Sequence, residues 1–110
     1  MAWSTRELAE LAGTTVNTVR HYHRIGLLEE PPRRHNGYKQ YGVPDLVRLR
    51  RIRRLVELRV PLAKIGAAGS RGLVTADVLR QVDAGLASEL ERLTRARRDI
   101  AVLLRDHAPA

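Results

Sequence analysis

Apolar residues fall along this chain in three patterns, and each pattern predicts a different kind of element. At the front they come in short groups at helical spacing, Leu8, Leu11 and Ala12 and then Val16 and Val19, each group preceded by hydroxyl residues and followed by a glycine. In the middle Leu46, Leu49, Ile52, Leu55 and Val56 form one stripe of a helix over 45–58, whose other face is Arg48, Arg50, Arg51, Arg53 and Arg54. From Thr75 to about Asp106 the period changes: Leu79, Leu86, Leu93 and Ile100 return every seventh residue. Val82, Leu90, Ala96, Leu103 and Leu104 fill positions near the alternate seam, and Gly85 is the one interruption.

Local start and stop signals sharpen the front half. Ser4-Thr5-Arg6-Glu7 is a capping box, with Trp3 and Leu8 in the flanking staple positions and Gly13 supplying the left-handed residue that ends the helix. Thr14-Thr15 caps a second helix, Val16 to about Arg24, that ends at Gly26. Its inward residues are expected to be Val16 and Val19, with Ile25, Leu27 and Leu28 continuing the buried contact after the turn. Two short helices joined by a Gly-Thr turn make a helix-turn-helix, whose second member normally enters the major groove of DNA. Pro31-Pro32 breaks the chain, and Asn36-Gly37 signals a tight turn. The surrounding residues thus predict a two-stranded hairpin, a wing, with Arg33 and Arg34 on one arm and Tyr38 and Lys39 on the other. Pro44 suits a first helical position, Val60-Pro61 breaks the third helix, and Leu62 to about Ala67 forms a short further one. Gly66, Gly69, Ser70 and Gly72 then mark a flexible joint. The expected fold class is therefore mainly α: a winged helix-turn-helix head over 1–72 and a long helix within 73–110.

A helix as long as the last one, in a chain this small, has nothing of its own to pack on for its whole length. Pairing with another copy as a homodimer is the simplest way to bury the stripe, the alternative being a fold back onto the head. The dimerisation residues are then Leu79, Val82, Leu86, Leu90, Leu93, Ile100, Leu103 and Leu104. Arg97 breaks the strict heptad and favours an irregular or antiparallel pairing over a long parallel zipper.

Composition adds a partner. The 110 residues hold one small domain, or a small head plus an appended helix, and leave no room for a second core. The net charge is +8, and only two of the twenty basic residues, Lys39 and Lys64, are lysines. Arginine forks grip phosphates and guanine edges, although a GC-rich coding bias explains the ratio as well. Coding bias does not explain placement: residues 1–61 carry a net +6 and residues 62–110 only +2. All four aromatics, Trp3, Tyr22, Tyr38 and Tyr41, also lie in the first 41 residues. On the second helix Asn17, Thr18, Arg20 and His21 are left facing outward, which with the basic wing suits double-stranded DNA. The amino end of the segment opening at Leu62 adds free amides for a phosphate.

The same composition excludes other classes. Without cysteine there are no disulfides, thiolate metal sites or thiol redox sensors. No long apolar run or signal segment appears, so a cytoplasmic protein with no membrane partner is expected. The acids are scattered, which argues against an enzyme, and no cofactor or metal is expected. His21, His23 and His35 read as DNA contacts or solvent-exposed groups rather than ligands. Two alternatives to a transcription regulator stay open: an architectural, excisionase-like DNA-bending factor, and a helical interaction adapter.

In order and spacing, the helix-turn-helix, VRHYHRIGLL at 19–28, GYKQY at 37–41, DLVRLRRIRRL at 45–55 and VPLAKI at 60–65 resemble the MerR family of bacterial transcription regulators. The resemblance covers about residues 4–66 and implies a winged head, dimerised through an antiparallel coiled coil of the last helix. It further implies binding to a pseudo-palindromic promoter element that is bent or untwisted for RNA polymerase. By position it places Thr15, Asn17, Thr18, Arg20 and His21 against bases and phosphates, with Tyr22 and Arg24 at the helix end. It assigns Arg34, Tyr38, Lys39 and Tyr41 to the wing, and the segment opening at Leu62 to a second wing on phosphate. Two departures stand out: His21 occupies a place where the family usually has Tyr, and Arg59 one where Gly is usual. The ending Ala108-Pro109-Ala110 reads like the start of a linker into a longer regulator.

Overall fold

The computed structural model describes residues 2–31, 39–67 and 72–107. Four α-helices and a short 3-10 turn follow in the order α1 (Thr5–Leu11), α2 (Val16–Arg24), α3 (Val43–Glu57), the turn Leu62–Lys64 and α4 (Ala76–His107). The chain divides into two compact units, Met1–Thr75 and Ala76–Ala110. Among the described residues no strand forms; an isolated antiparallel bridge joins Trp3 to Tyr41 through a pair of 2.8 Å backbone hydrogen bonds. Most of the expected wing, including its Asn36-Gly37 turn, lies outside the described residues.

The start of α1 follows from four residues. The Glu7 amide donates to Ser4 Oγ at 3.1 Å, and the Ser4 amide donates to Glu7 Oε1 at 3.0 Å. These two bonds satisfy amides that the first helical turn leaves without partners. They also hold the Glu7 carboxyl below the usual carboxylate range, the backbone hydrogen bond from Ser4 being the larger cause and its hydroxyl the second. At α2 the Thr15 hydroxyl accepts from the Thr18 amide at 3.1 Å. At α3 Asp45 Oδ2 accepts from the Gly42 amide at 2.8 Å, and with no side chain on Gly42 the reciprocal bond is missing.

All three head helices end in one hydrogen-bond pattern. After α1, Gly13 N–H donates to Glu10 O and Thr14 N–H to Ala9 O; after α2, Gly26 N–H donates to His23 O and Leu27 N–H to Tyr22 O. After α3, Arg59 N–H donates to Val56 O and Val60 N–H to Leu55 O. This paired closure requires a left-handed residue, which glycine supplies without steric cost. Gly13 (φ 69°) and Gly26 (φ 78°) meet the requirement, whereas the third site forces Arg59 to φ 71°. The substitution read from the sequence at Arg59 therefore leaves the turn's geometry unchanged and places its strain on a side-chain-bearing residue.

The core of the head is aliphatic with two tyrosines: Leu8, Ala9, Val19, Leu27, Leu28, Leu49, Ile52, Val60 and Ile65 are buried alongside Tyr22 and Tyr41. Two expected core residues lie elsewhere. Leu11 is 42% exposed and Ile25 44% exposed, because each falls at the end of a short helix just as the chain turns away. Ala9 takes the place expected of Leu11 beside Leu8. The expected short helix from Leu62 is a single 3-10 turn ending at Lys64.

The long helix α4 holds 32 residues, a length of about 48 Å at 1.5 Å per residue. No residue in it is buried. No helix among the described residues is long and apolar enough to cross a membrane.

Candidate nucleic-acid interface

The surface of the head is built outward from α2. Val19 and Tyr22 point into the core, and helical periodicity leaves Asn17, Arg20, His21 and Arg24, at spacings of three and four, on the opposite side. Asn17, Arg20 and Arg24 are exposed and His21 is half-buried. Thr15 is exposed as well, but its hydroxyl is engaged by the Thr18 amide and lies 3.0 Å from the Thr18 hydroxyl. The two threonines thus spend much of their bonding capacity in building the helix start. Amide, guanidinium and imidazole groups on one face of a rigid nine-residue helix can read base edges and hold phosphates at once.

A second element lies next to the end of α2. One shallow groove is lined by His21 and Ile25 from α2 and by Leu62, Ala63, Ile65 and Ala67 from the segment after α3. In that segment the amides of Lys64 and Ile65 are used within the turn, donating to Pro61 O and Leu62 O. Those of Leu62 and Ala63 have no partner among the described residues. Leu62 itself is half-buried, so its backbone rather than its side chain is the group available to a phosphate.

Two of the residues placed on DNA by the sequence are corrected here. Tyr22 is 2% exposed and Tyr41 0% exposed, so both rings are core and neither reaches a duplex. The Tyr41 hydroxyl is engaged inside: it lies 2.8 Å from His23 Nε2 and accepts from Thr5 Oγ1 at 3.4 Å. Because the Leu28 carbonyl, 2.9 Å from His23 Nδ1, can only accept, Nδ1 carries the proton. In the tautomer with its proton on Nδ1, Nε2 accepts from the tyrosine hydroxyl. The two rings also stack, with centroids 5.9 Å apart. His23 is consequently a structural pin between α2 and the strand-like residues 39–41. Lys39 differs from expectation more mildly: it is half-buried and paired with Glu30, so a phosphate must compete with that carboxylate. Arg34 and Tyr38 lie outside the described residues.

Sequence reasoning missed two arginines on α3. Arg48 Nε donates to Leu27 O at 2.7 Å and its Nη2 to Gly66 O at 2.9 Å; Arg50 Nη2 donates to Leu11 O at 3.1 Å. Periodicity puts both on the face of α3 opposite its apolar stripe, and there they serve carbonyls near the ends of other elements. No sequence signal marks such bonds, since the partners lie 18 to 39 residues away.

Comparisons with known proteins agree with this geometry. The family model described as MerR HTH family regulatory protein matches residues 3–68. The transcriptional activator TipA of Streptomyces coelicolor is 42% identical over 67 residues, covering 61% of this chain and 26% of TipA. The chain spans between about a quarter and a half of the length of curated relatives such as TipA and the mercuric resistance operon regulator of Bacillus cereus. Among solved structures, a MerR-family transcriptional regulator from Bacillus cereus superposes with a TM-score of 0.72 at 25% identity, covering 96% of this chain and 82% of that one. HiNmlR, a MerR family regulator lacking the sensor domain and crystallised bound to promoter DNA, shares the fold with a TM-score of 0.50 at 23% identity. That superposition covers 96% of this chain and 77% of HiNmlR. A family match spanning more than half the sequence settles the assignment: this chain belongs to the MerR HTH family of regulatory proteins.

Proposed function

We propose that this chain is the DNA-reading and dimerising part of a MerR-type transcription regulator. Two copies would pair antiparallel through α4 and set their heads on the half-sites of a pseudo-palindromic promoter element. Bending or untwisting that element would present it to RNA polymerase. The observation that carries the reading is the outward row Asn17, Arg20, His21 and Arg24 on a helix capped at both ends and backed by a buried core. The promoter DNA bound by HiNmlR, a protein of the same fold, supports it. Promoter binding places the chain in the cytoplasm and calls for no catalytic step.

Pairing rests on α4. Seven of the eight stripe residues, Leu79, Leu86, Leu90, Leu93, Ile100, Leu103 and Leu104, are exposed in the single chain and Val82 is half-buried. Charge supports the direction: residues 76–91 carry four acids and one base, and residues 92–107 five bases and two acids. Antiparallel pairing sets the acidic half of each helix beside the basic half of the other, whereas parallel pairing opposes like charges.

The test is a binding titration on duplexes selected by the chain from a random pool. Arg20→Ala should cost about 1–3 kcal/mol, with the salt slope reduced by about one if the lost contact is to phosphate. An unchanged affinity and slope, with the fold intact by circular dichroism, would reject the α2 assignment.

A further inference from the structure

The geometry points to Arg48 as the positioning residue that holds the two DNA-facing elements of the head, α2 and the 62–66 segment, in one fixed relation. The inference rests on the DNA reading proposed above and adds a residue that touches no DNA. Arg48 is half-buried, and its two described bonds go to backbone carbonyls, Leu27 O through Nε and Gly66 O through Nη2. No carboxylate pairs with it among the described residues. A partly desolvated guanidinium without a counter-ion is a costly way to fill space. Its advantage is a rigid planar fork that fixes two acceptors at once, which a lysine ammonium on a flexible stem does not reproduce.

What the fork joins gives the arrangement its meaning. Leu27 belongs to the closure of α2, where its amide donates to Tyr22 O at 2.9 Å, so its carbonyl reports the position of the helix end. Gly66 directly follows the 3-10 turn and its flanking Ile65, and its own amide donates to Leu73 O at 2.7 Å, so its carbonyl reports the position of that segment. These are also the two elements that share the groove between His21 and Leu62. A duplex offers base edges and phosphates at fixed separations, so two contact elements on one head must hold their spacing to read a sequence.

Two kinds of loss are therefore separable. Positioning affects discrimination between sequences, while general attraction to DNA follows from charge. Arg48→Lys keeps the charge and loses the fork; Arg48→Met loses both; Arg50→Lys is the control, since Arg50 serves a carbonyl on α1. Each would be titrated on a duplex that the wild-type chain selects from a random pool, and on an unselected duplex of equal length. Arg48→Lys should bind the selected duplex about tenfold more weakly, the scale of one mismatched base pair. Its affinity for the unselected duplex and its salt slope should stay at wild-type values, and Arg50→Lys should match wild type on both duplexes. If Arg48→Met fails to fold, Arg48→Lys alone decides. Wild-type affinity in Arg48→Lys, or an equal loss on both duplexes, would overturn the positioning role. A wild-type chain that selects no sequence would instead overturn the DNA reading itself, and this inference with it.

Discussion

The head and the long helix use apolar residues in opposite ways. In the head, α1, α2 and α3 each bury part of one face, and Leu8, Val19, Leu49 and Ile52 are sealed from solvent by neighbours in the same chain. In α4 an apolar stripe runs over most of 32 residues and nothing is buried, with Leu90 67% and Leu104 65% exposed. Hydrophobic burial is the main drive for folding, so the head contains its own reason to fold, while α4 leaves its apolar stripe free for the pairing proposed above. Local propensity contributes to α4 through good helix formers, and an exposed stripe of this length fits the proposed pairing with a second copy.

The sharpest way to break this contrast is truncation in the head's core. Leu49→Ala removes a fully buried side chain and should cost about 2–5 kcal/mol, read as a lower denaturation midpoint of the head. Leu90→Ala, by the same measurement in dilute monomer, should leave the head's midpoint unchanged. Next in size is Tyr41→Phe. If Tyr41 is core rather than interface, losing its hydroxyl strands His23 Nε2 and should lower stability by about 1–3 kcal/mol, with operator affinity of the folded protein unchanged. Affinity loss without stability loss would return Tyr41 to the DNA surface.

Arg59→Gly should act in the other direction. Glycine relieves the positive φ at the third helix end, and stabilisation by up to about 1 kcal/mol is expected in a urea titration. A destabilised variant would mean that Arg59 contributes a bond worth more than the strain it carries. The smallest effect concerns acid. The Glu7 carboxyl lies below its unfolded value, so its contribution to α1 is present above the ordinary carboxylate range and is lost as pH falls through the folded value. The start of α1 should fray first on acidification, as followed by amide exchange at Glu7, and Glu7→Gln should flatten that dependence.

What was legible in the sequence was local. Ser4 with Glu7, Gly13, Thr15 and Gly26 act within one helical turn, so their residue types and spacing were enough to delimit α1 and α2. Chain reversal was harder: Leu11 and Ile25 are apolar at the right spacing, yet each helix stops before the core reaches them. The least legible features were the long-range bonds. Nothing near Tyr41 in sequence announces His23 or Thr5, and nothing near Arg48 announces Leu27 and Gly66, because those pairs exist only after the head has closed. The outward face of α2 is legible because periodicity settles it once Val19 is placed inside, while Tyr22 and Tyr41 read as interface residues because a phenol suits an interface and a polar-capped core equally well.

On the proposed reading, α4 sets two heads on one DNA site. The direct measurement combines light scattering with operator titration for wild type and for the double variant Leu86→Glu/Leu93→Glu. A wild-type dimer is expected, and a monomeric variant whose head keeps its wild-type melting profile. The variant's operator affinity should fall by about 100-fold or more, since a lone head gains nothing from the effective concentration of a tethered second one. A monomeric wild type, or a monomeric variant that binds the full operator as tightly as wild type, would contradict this role of α4.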